Sequence, residues 1–302
     1  MGIATEIEQK YLQAEHFVDE GKELAAVQIY KQLIDEGKEL RRTVLRLANL
    51  YEKMKLFDNV TNLLEEYLSN NEDNEVTFLY GQFLIRAKKF DKAAEIFGNL
   101  INKTKDEFID SYYFLGVAFS MLKEIEQSKN NFIYYIKNNG ERYLTNAIID
   151  LIQISNSHGD YDTAIEYLEL LEKKGNYNKA WLNLSFAEAY FGIGMYYYAQ
   201  DYILKSLKYD KDNSKALILA ARIHMHIGEY DEARKYLNLL VENNITNAEI
   251  YALLGFVYIA KKNLDEAKKF FTLGMKENPY DKNVIILKNR LIEIMEEHHW
   301  EG

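Results

Sequence analysis

Compact residues recur along this chain at intervals of 33 to 36 residues, and no other feature of the sequence constrains the fold as strongly. One series consists of Ala26, Val60, Ala93, Ser128, Ala164, Ala199, Ala233 and Ala267. A second series precedes it and consists of Ala14, Ala48, Gly81, Gly116, Ile152, Ala187, Ala221 and Gly255, among which Ile152 is the bulky exception. Eight copies in phase indicate a repeat protein in which each copy is one structural unit.

Each copy has the spacing of two amphipathic helices. In the copy from Ala248 to Asp281, apolar residues lie three, four and seven positions apart on both sides of the short turn 261–263. These intervals place side chains on one face of a helix. Small residues let two helix backbones approach closely, which predicts a helical hairpin. The presence of only one proline, Pro279, supports an all-helical chain.

Turn signals agree with this division. Glycines stand where several first helices must end and the backbone needs a positive φ, namely at Gly21, Gly159, Gly194 and Gly228. Acidic residues stand where second helices open, and we expect them to cap free N–H groups there: Asp58, Asp91, Asp162, Asp231 and Asp265.

The pattern resembles the tetratricopeptide repeat, which carries an aromatic residue, Leu, Gly, Tyr, Ala, Phe, a small residue and Pro at the positions of Tyr251, Leu254, Gly255, Tyr258, Ala267, Phe271, Gly274 and Pro279. The resemblance implies an all-α, right-handed α-solenoid of stacked antiparallel helical hairpins. We place eight repeats at 7–40, 41–73, 74–108, 109–144, 145–179, 180–213, 214–247 and 248–281. The fifth copy departs from the pattern at Ile152 and Ser155.

Residues 282–297 form one further amphipathic helix, which we interpret as the capping helix of the array. Val284, Ile285, Leu287, Leu291 and Ile294 are expected to face the array, and Lys288, Asn289, Glu293 and Glu296 to face solvent. We expect a disordered tail at 298–302. No comparable segment precedes the first repeat, which predicts self-association through that uncapped hairpin.

Composition excludes several kinds of chemistry. The absence of cysteine removes thiolate metal sites and cysteine nucleophiles. The histidines have no metal-ligand spacing, because His224 and His226 point to different sides of a helix and His298 and His299 lie in the tail. A net charge of −10 argues against nucleic acid as a partner. We therefore predict no cofactor, no metal, no catalytic residue, no membrane insertion and a cytoplasmic location.

The resemblance also implies a function, because arrays of this family bind extended peptides or partner helices along the concave face of their first helices. We predict a non-enzymatic protein-interaction module that acts as an adaptor or an assembly scaffold. The candidate groove residues are Arg42, Arg46, Asn49, Lys53, Phe78, Gln82, Arg86, Tyr113, Val117, Trp181, Glu188 and Arg222.

Two candidate sites among these residues, the Arg42/Arg46 pair and Trp181, have competing interpretations. Arg42 and Arg46 stand one helical turn apart and could together hold a carboxylate or a phosphate of an acidic partner. The alternative is intramolecular pairing with Glu8, Glu15 or Glu75. Trp181 is either an anchor for a partner or a residue packed over the adjoining hairpin.

Two other functions stay open. Pentatricopeptide repeats share the hairpin and bind RNA, although the net charge of −10 argues against this activity. A peptide-sensing regulatory subunit is the second alternative. The first repeat begins near residue 7, and we therefore do not expect the preceding helix-turn-helix domain that such sensors often carry.

Overall fold

In the computed structural model, residues 3–175 and 177–300 are described, with the side chains of 6–175 and 177–296, and they contain α-helices and no strand. The predicted all-α class is confirmed. The helices are Ile3–Asp19 (α1), Glu23–Asp35 (α2), Leu40–Lys53 (α3), Phe57–Asn70 (α4), Asn74–Arg86 (α5), Phe90–Thr104 (α6), Asp110–Met121 (α7), Ile125–Lys137 (α8), Leu144–Ser157 (α9), Tyr161–Lys174 (α10), Lys179–Gly192 (α11), Tyr196–Tyr209 (α12), Ser214–His226 (α13), Tyr230–Glu242 (α14), Ala248–Ala260 (α15), Leu264–Glu277 (α16) and Lys282–Trp300 (α17). A short 3₁₀ helix, Lys105–Phe108, precedes α7.

The chain divides into two compact units, Met1–Ala147 and Ile148–Gly302. In the first unit, each helix from α1 to α8 packs against the next one. In the second unit the same holds from α10 to α17, and the first helices α11, α13 and α15 also touch their neighbours in that series. The division lies inside α9, which carries the two departures from the repeat pattern, Ile152 and Ser155.

The recurring compact residues form the contact line of the hairpins. All eight residues of the series from Ala26 to Ala267 are fully buried, with a relative exposure of 0%. The glycines of the other series stand where two helices nearly touch. A Cβ atom on Gly81 would lie 2.5 Å from the ring of Phe97, and one on Gly255 would lie 2.4 Å from Leu287. Close helix contact therefore explains why the sequence repeats small residues.

Every first helix is followed by one residue with a left-handed backbone. The four predicted glycines have φ between 72° and 83°, which confirms their role. Lysines take the equivalent place in the other four hairpins, namely Lys55, Lys88, Lys123 and Lys262, with φ between 57° and 64°. A side chain at such a φ costs about 1 to 2 kcal/mol. The turn geometry is thus kept even where the sequence offers no glycine.

The predicted aspartate caps of the second helices are wrong in position. Asp58 is the second residue of α4, and the N-cap residue, Leu56, makes no side-chain hydrogen bond. The aspartates of the other second helices also lie in the first turn, where their negative charge interacts favourably with the positive end of the helix dipole. Side-chain caps occur on first helices at Asp73, Asn178, Asn213 and Asn247, and on the second helices α10 and α16 at Asp160 and Asn263, the residues directly before the helix.

Helix α17 packs on α15 and α16 through Val284, Leu287 and Leu291. The prediction for Ile285 is wrong, because this side chain is 44% exposed. One residue advances a helix by about 100°, and burial of Val284 therefore turns Ile285 outward. The helix also continues to Trp300, since no glycine or proline stops it at 297, so 298–300 are helical rather than disordered. Residues 301 and 302 lie outside the described part of the chain.

Candidate functional site

A cleft of about 1050 Å³ lies within the second unit. Residues of α9, α11 and α13 form its walls, together with Tyr161 at the start of α10 and Glu249 of α15. Because α11, α13 and α15 are first helices of successive hairpins, the cleft lies on the surface that first helices share. Three of the candidate groove residues line it, namely Trp181, Glu188 and Arg222.

Helix α11 supplies the central wall of the cleft. Trp181, Leu184, Glu188 and Phe191 follow one another at intervals of three, four and three residues and therefore share one face of this helix. The Asn178 side chain accepts a hydrogen bond of 3.0 Å from the Trp181 backbone N–H and so caps the start of the helix. The Trp181 side chain is half-buried at the cleft wall.

Two buried polar atoms in the wall have no hydrogen-bond partner among the described residues. Nδ2 of Asn156 donates to the Ser185 carbonyl oxygen at 3.2 Å, whereas its Oδ1 atom is unpartnered. Arg222 donates from Nη2 to Oε1 of Glu249 at 2.5 Å, whereas its Nε–H group is unpartnered. Both atoms are enclosed by protein in the free chain, and burying each of them without a partner is costly.

Glu188 is the one exposed acid of the α11 wall. Its carboxylate makes no hydrogen bond or close ion pair with any residue that the structure describes. Burial among the surrounding protein atoms raises the pKa of Glu188, and the positive charge of Lys215 acts in the opposite direction. The Glu188 carboxylate is therefore reached by solvent at the cleft wall, but the surrounding protein atoms remove part of its hydration.

Aromatic rings border the end of α11. Tyr161 lies directly over Gly192, where a Cβ atom would stand 2.2 Å from the ring. Phe191 lies 5.5 Å from the Tyr196 ring and 5.2 Å from the His226 ring, and the Tyr196 and His226 rings stack at 4.6 Å. Because Gly192 has no side chain, the Tyr161 ring can lie against the helix backbone next to Phe191.

The basic candidates of the first unit are engaged in ion pairs. Arg42 contacts Glu8 at 3.1 Å and Glu39 at 3.0 Å, and its guanidinium lies 4.1 Å from the centre of the Tyr11 ring. These two carboxylates raise the pKa of Arg42. Arg46 contacts Glu15 at 3.4 Å. Two of the partners named by the intramolecular alternative, Glu8 and Glu15, are therefore present.

The remaining charged candidates of this unit, Lys53 and Arg86, also form ion pairs. Glu75, the third partner considered, pairs with Arg41 rather than with Arg42 or Arg46. Lys53 lies 3.8 Å from Glu23, and Arg86 pairs with Glu52. A spacing near 34 residues brings like positions of neighbouring repeats together, which explains how opposite charges meet across the hairpins.

The aromatic candidates of the first unit pack within it. Phe78 lies 5.9 Å from the ring of Phe97 and 5.7 Å from that of Phe114. Tyr113 stacks on Tyr143 at 4.7 Å with an interplanar angle of 5°. Packing therefore accounts for both rings. The other candidates of this unit are partly accessible at Gln82 and Val117 and exposed at Asn49.

The described residues contain no candidate metal site and no candidate membrane-spanning helix. No group of three His, Asp or Glu side chains is arranged there to hold a metal ion. His224 is buried in the slot that aromatic residues occupy in other repeats, with Nδ1 at 2.6 Å from Oε2 of Glu229. In the part of the chain that the structure describes, no helix has the length and apolar character to cross a bilayer.

Comparison with known families agrees with the geometry. Residues 198–244 and 248–281 each match a model of the tetratricopeptide repeat, and the second match covers the clearest copy of the sequence pattern. This chain is a tetratricopeptide repeat protein. Tetratricopeptide arrays are interaction scaffolds and are generally non-enzymatic. No curated protein sequence matches the chain significantly.

Solved tetratricopeptide structures have the same fold. A tetratricopeptide repeat protein from Parabacteroides merdae is 13% identical, with a TM-score of 0.54 over 95% of this chain and 98% of that one. PilF of Pseudomonas aeruginosa is 13% identical, with a TM-score of 0.55 over 72% and 97% of the two chains. YrrB, a tetratricopeptide protein with an unusual peptide-binding site, is 16% identical, with a TM-score of 0.51 over 65% and 99%. At these identities the likeness shows the fold alone.

Most residues of the cleft were not among the candidate groove residues named from the repeat, and Tyr161, Leu184 and Glu249 are three examples. Tyr161 and Leu184 are repeat positions occupied by apolar side chains, which suggested packing. Glu249 lies 27 residues after Arg222, and the sequence places it on the next first helix. The signal that could have found it is the opposite charge of the two residues on neighbouring first helices.

Proposed function

We propose that the cleft of the second unit binds an extended peptide of a partner protein, so that this tetratricopeptide repeat protein acts as a non-enzymatic adaptor or assembly scaffold. The observation that carries the proposal is the pair of unpartnered atoms, Asn156 Oδ1 and Arg222 Nε, in the wall of a cleft of about 1050 Å³. An extended peptide offers both an N–H donor and a C=O acceptor in every residue.

The shape of the cleft supports a peptide more than a small molecule. Four successive first helices, α9, α11, α13 and α15, contribute to it, and a ligand following them must be elongated. A small side-chain movement would bring the enclosed Asn156 amide oxygen and Arg222 Nε–H group to the cleft surface. There the oxygen could accept from the peptide backbone and the N–H group could donate to it, without regard to the side chains of the peptide. Trp181 and Phe191 add apolar and aromatic area on which peptide side chains can pack.

The test begins with a random peptide library selected on the immobilised full chain, followed by affinity measurements on the selected peptides. We expect affinities in the micromolar range, and losses of about tenfold or more in Trp181→Ala and in Asn156→Ala. Tyr197→Ala is the matched control, because this tyrosine is 72% exposed on α12 and does not line the cleft.

The controls separate binding from folding. Circular dichroism and the melting temperature of each variant establish that the helices are intact. Failure to select any peptide, or equal affinity of the selected peptides for the wild type and both cleft variants, would show that the cleft is not the binding surface.

A second candidate surface lies around Arg46 in the first unit. Two hollows of about 560 and 380 Å³ share Arg46 and Asn49 as lining residues. The Glu15 partner of Arg46 is exposed to solvent, so an acidic segment could exchange with it at little cost. Selected acidic peptides that bind the wild type and lose affinity in Arg42→Glu/Arg46→Glu would identify this site, whereas unchanged affinity in that variant would exclude it.

A further inference from the structure

Glu188 differs from the other acidic residue of the cleft wall in having no partner. Glu249 is neutralised by Arg222 at 2.5 Å, whereas no described residue donates to the carboxylate of Glu188. Lys215 is the nearby cation, and it acts on Glu188 through its field without an ion pair. With the Arg222 and Glu249 charges cancelled, Glu188 is the negative group of the cleft that is available to a ligand.

The surroundings of this carboxylate fit a positively charged side chain. Leu184 precedes Glu188 by one turn of α11, and Phe191 follows it by one turn, both on the cleft face. A lysine or arginine side chain can lay its aliphatic stem on such apolar neighbours and direct its charged end to the carboxylate. The faces of aromatic rings also attract cations.

We propose that Glu188 is the specificity-determining residue of the cleft and receives the side chain of a lysine or arginine in the bound peptide. This inference rests on the proposed function, because it names the side-chain preference of the same cleft. Lys215 lowers the preference for a basic residue without abolishing it, since one cation at a distance is weaker than a carboxylate in contact.

The energetics of the free protein agree with such a role. Burial raises the pKa of Glu188, which means that the charged form is held there at a cost in free energy. A bound ammonium or guanidinium group replaces the lost hydration with a charge-assisted hydrogen bond and removes that cost. An acidic peptide side chain would instead increase the free-energy cost of keeping Glu188 charged.

The test uses a positional-scanning peptide library in which one residue at a time is fixed as Lys, Arg, Gln, Leu or Glu. All peptides are acetylated at the N-terminus and amidated at the C-terminus, so that a terminal amine cannot supply the cation; a free-amine set tests that source separately. For the wild-type full chain we expect fixed Lys or Arg at one position to raise affinity about tenfold over Gln.

Three variants and one control test the assignment. In Glu188→Gln the basic preference disappears while the peptides still bind, and in Lys215→Gln it increases. In Glu188→Lys the same peptide position prefers Glu. Glu166→Gln removes an exposed acid of α10 outside the cleft and leaves the preference unchanged.

The outcomes separate this inference from the proposed function. Peptide binding without a basic preference, a basic preference that survives in Glu188→Gln, or a preference only for a free N-terminal amine overturns the assignment of Glu188 and leaves peptide binding intact. Absence of peptide binding to the wild type overturns both proposals.

Discussion

At the scale of single residues, the environment of each charge decides whether it stabilises the fold or is available to a ligand. Arg42 and Arg46 have the spacing of an anion clamp, yet they meet Glu8 and Glu15. Glu188 has no motif around it, yet it is the acid of the cleft without a partner. Residue type and spacing indicate which chemistry is available, and only the neighbours show whether it is already used.

The raised pKa of Glu188 predicts a pH-dependent effect on stability. A carboxyl group whose pKa is higher in the folded state lowers the stability of the fold as pH rises from its ordinary value, 4.5, through the raised value. Glu188→Gln should therefore raise the melting temperature at pH 7, and the difference should vanish below about pH 4. The groups facing the site are Lys215, Arg222 and Glu249.

The control for this prediction is Glu166→Gln, an equal change of charge at an exposed position of α10. Thermal unfolding is followed by circular dichroism at both pH values. A lower melting temperature of Glu188→Gln at neutral pH would mean that the attraction to Lys215 outweighs the desolvation of the carboxylate.

A pair of glycines tests the close helix contacts. A Cβ atom on Gly116 would lie 2.8 Å from the buried ring of Phe132, so Gly116→Ala should lower the free energy of unfolding by about 1 to 3 kcal/mol. Gly98 lies within α6 with no atom near its Cβ position, so Gly98→Ala should raise it by about 0.5 to 1 kcal/mol. Denaturant titration of both variants measures the two opposite changes in the free energy of unfolding. A Gly116→Ala variant as stable as the wild type would show that the Phe132 ring can move aside.

At the scale of helices, the hairpin is kept even when its usual residues are absent. Glycine ends four of the first helices, and lysine takes the same left-handed conformation in the other four. Polar caps lie on first helices such as α11 and α13, whereas α4 starts without one. Packing of two apolar faces therefore supplies most of the stability of each hairpin, and local signals add smaller contributions.

The turns allow a reciprocal substitution experiment. Lys123 is exposed at φ 64°, and Lys123→Gly should raise the free energy of unfolding by up to about 1 kcal/mol, because relief of the strained backbone exceeds the added freedom of the unfolded chain. Gly228 is at φ 83°, and Gly228→Ala should lower it by about 1 to 2 kcal/mol. Equal stability of Lys123→Gly and the wild type would show that the two contributions cancel.

At the scale of the whole molecule, stability is distributed over many local contacts. Each unit has its own buried core, and each helix within a unit contacts mainly its neighbours along the chain. A defect should therefore act first on adjacent hairpins and only weakly on distant ones.

Leu254 provides the test of this locality, since it is fully buried in α15. Leu254→Ala should cost about 2 to 5 kcal/mol by leaving a cavity. Native-state hydrogen exchange should show the loss of protection in α13 to α17 before α1 to α8. Leu204→Ala, at a position 45% exposed on α12, is the control and should leave the exchange pattern unchanged. Uniform loss along the chain in Leu254→Ala would contradict local coupling.

Much of the fold followed from periodicity. The period of the compact residues predicted which positions are buried, because only small side chains allow the helices of a hairpin to touch, and Ala26 and Ala267 are as buried as expected. The positive φ at Gly21 and Gly228 followed from glycine at a helix end. The left-handed lysines could not be predicted in the same way, since their conformation is imposed by the packing of the two helices and not by their own preference.

The sequence by itself determined the helical class and the hairpin register, because both depend on interactions between residues close in the chain or one period apart. Only the tertiary structure decided which charges are paired, which rings pack and which side chains remain for a partner. It turned Ile285 away from the array, paired Arg42 and Arg46 with acids of a neighbouring hairpin, and left Glu188 without a partner in the cleft. These outcomes depend on distances between helices, which no single stretch of sequence contains.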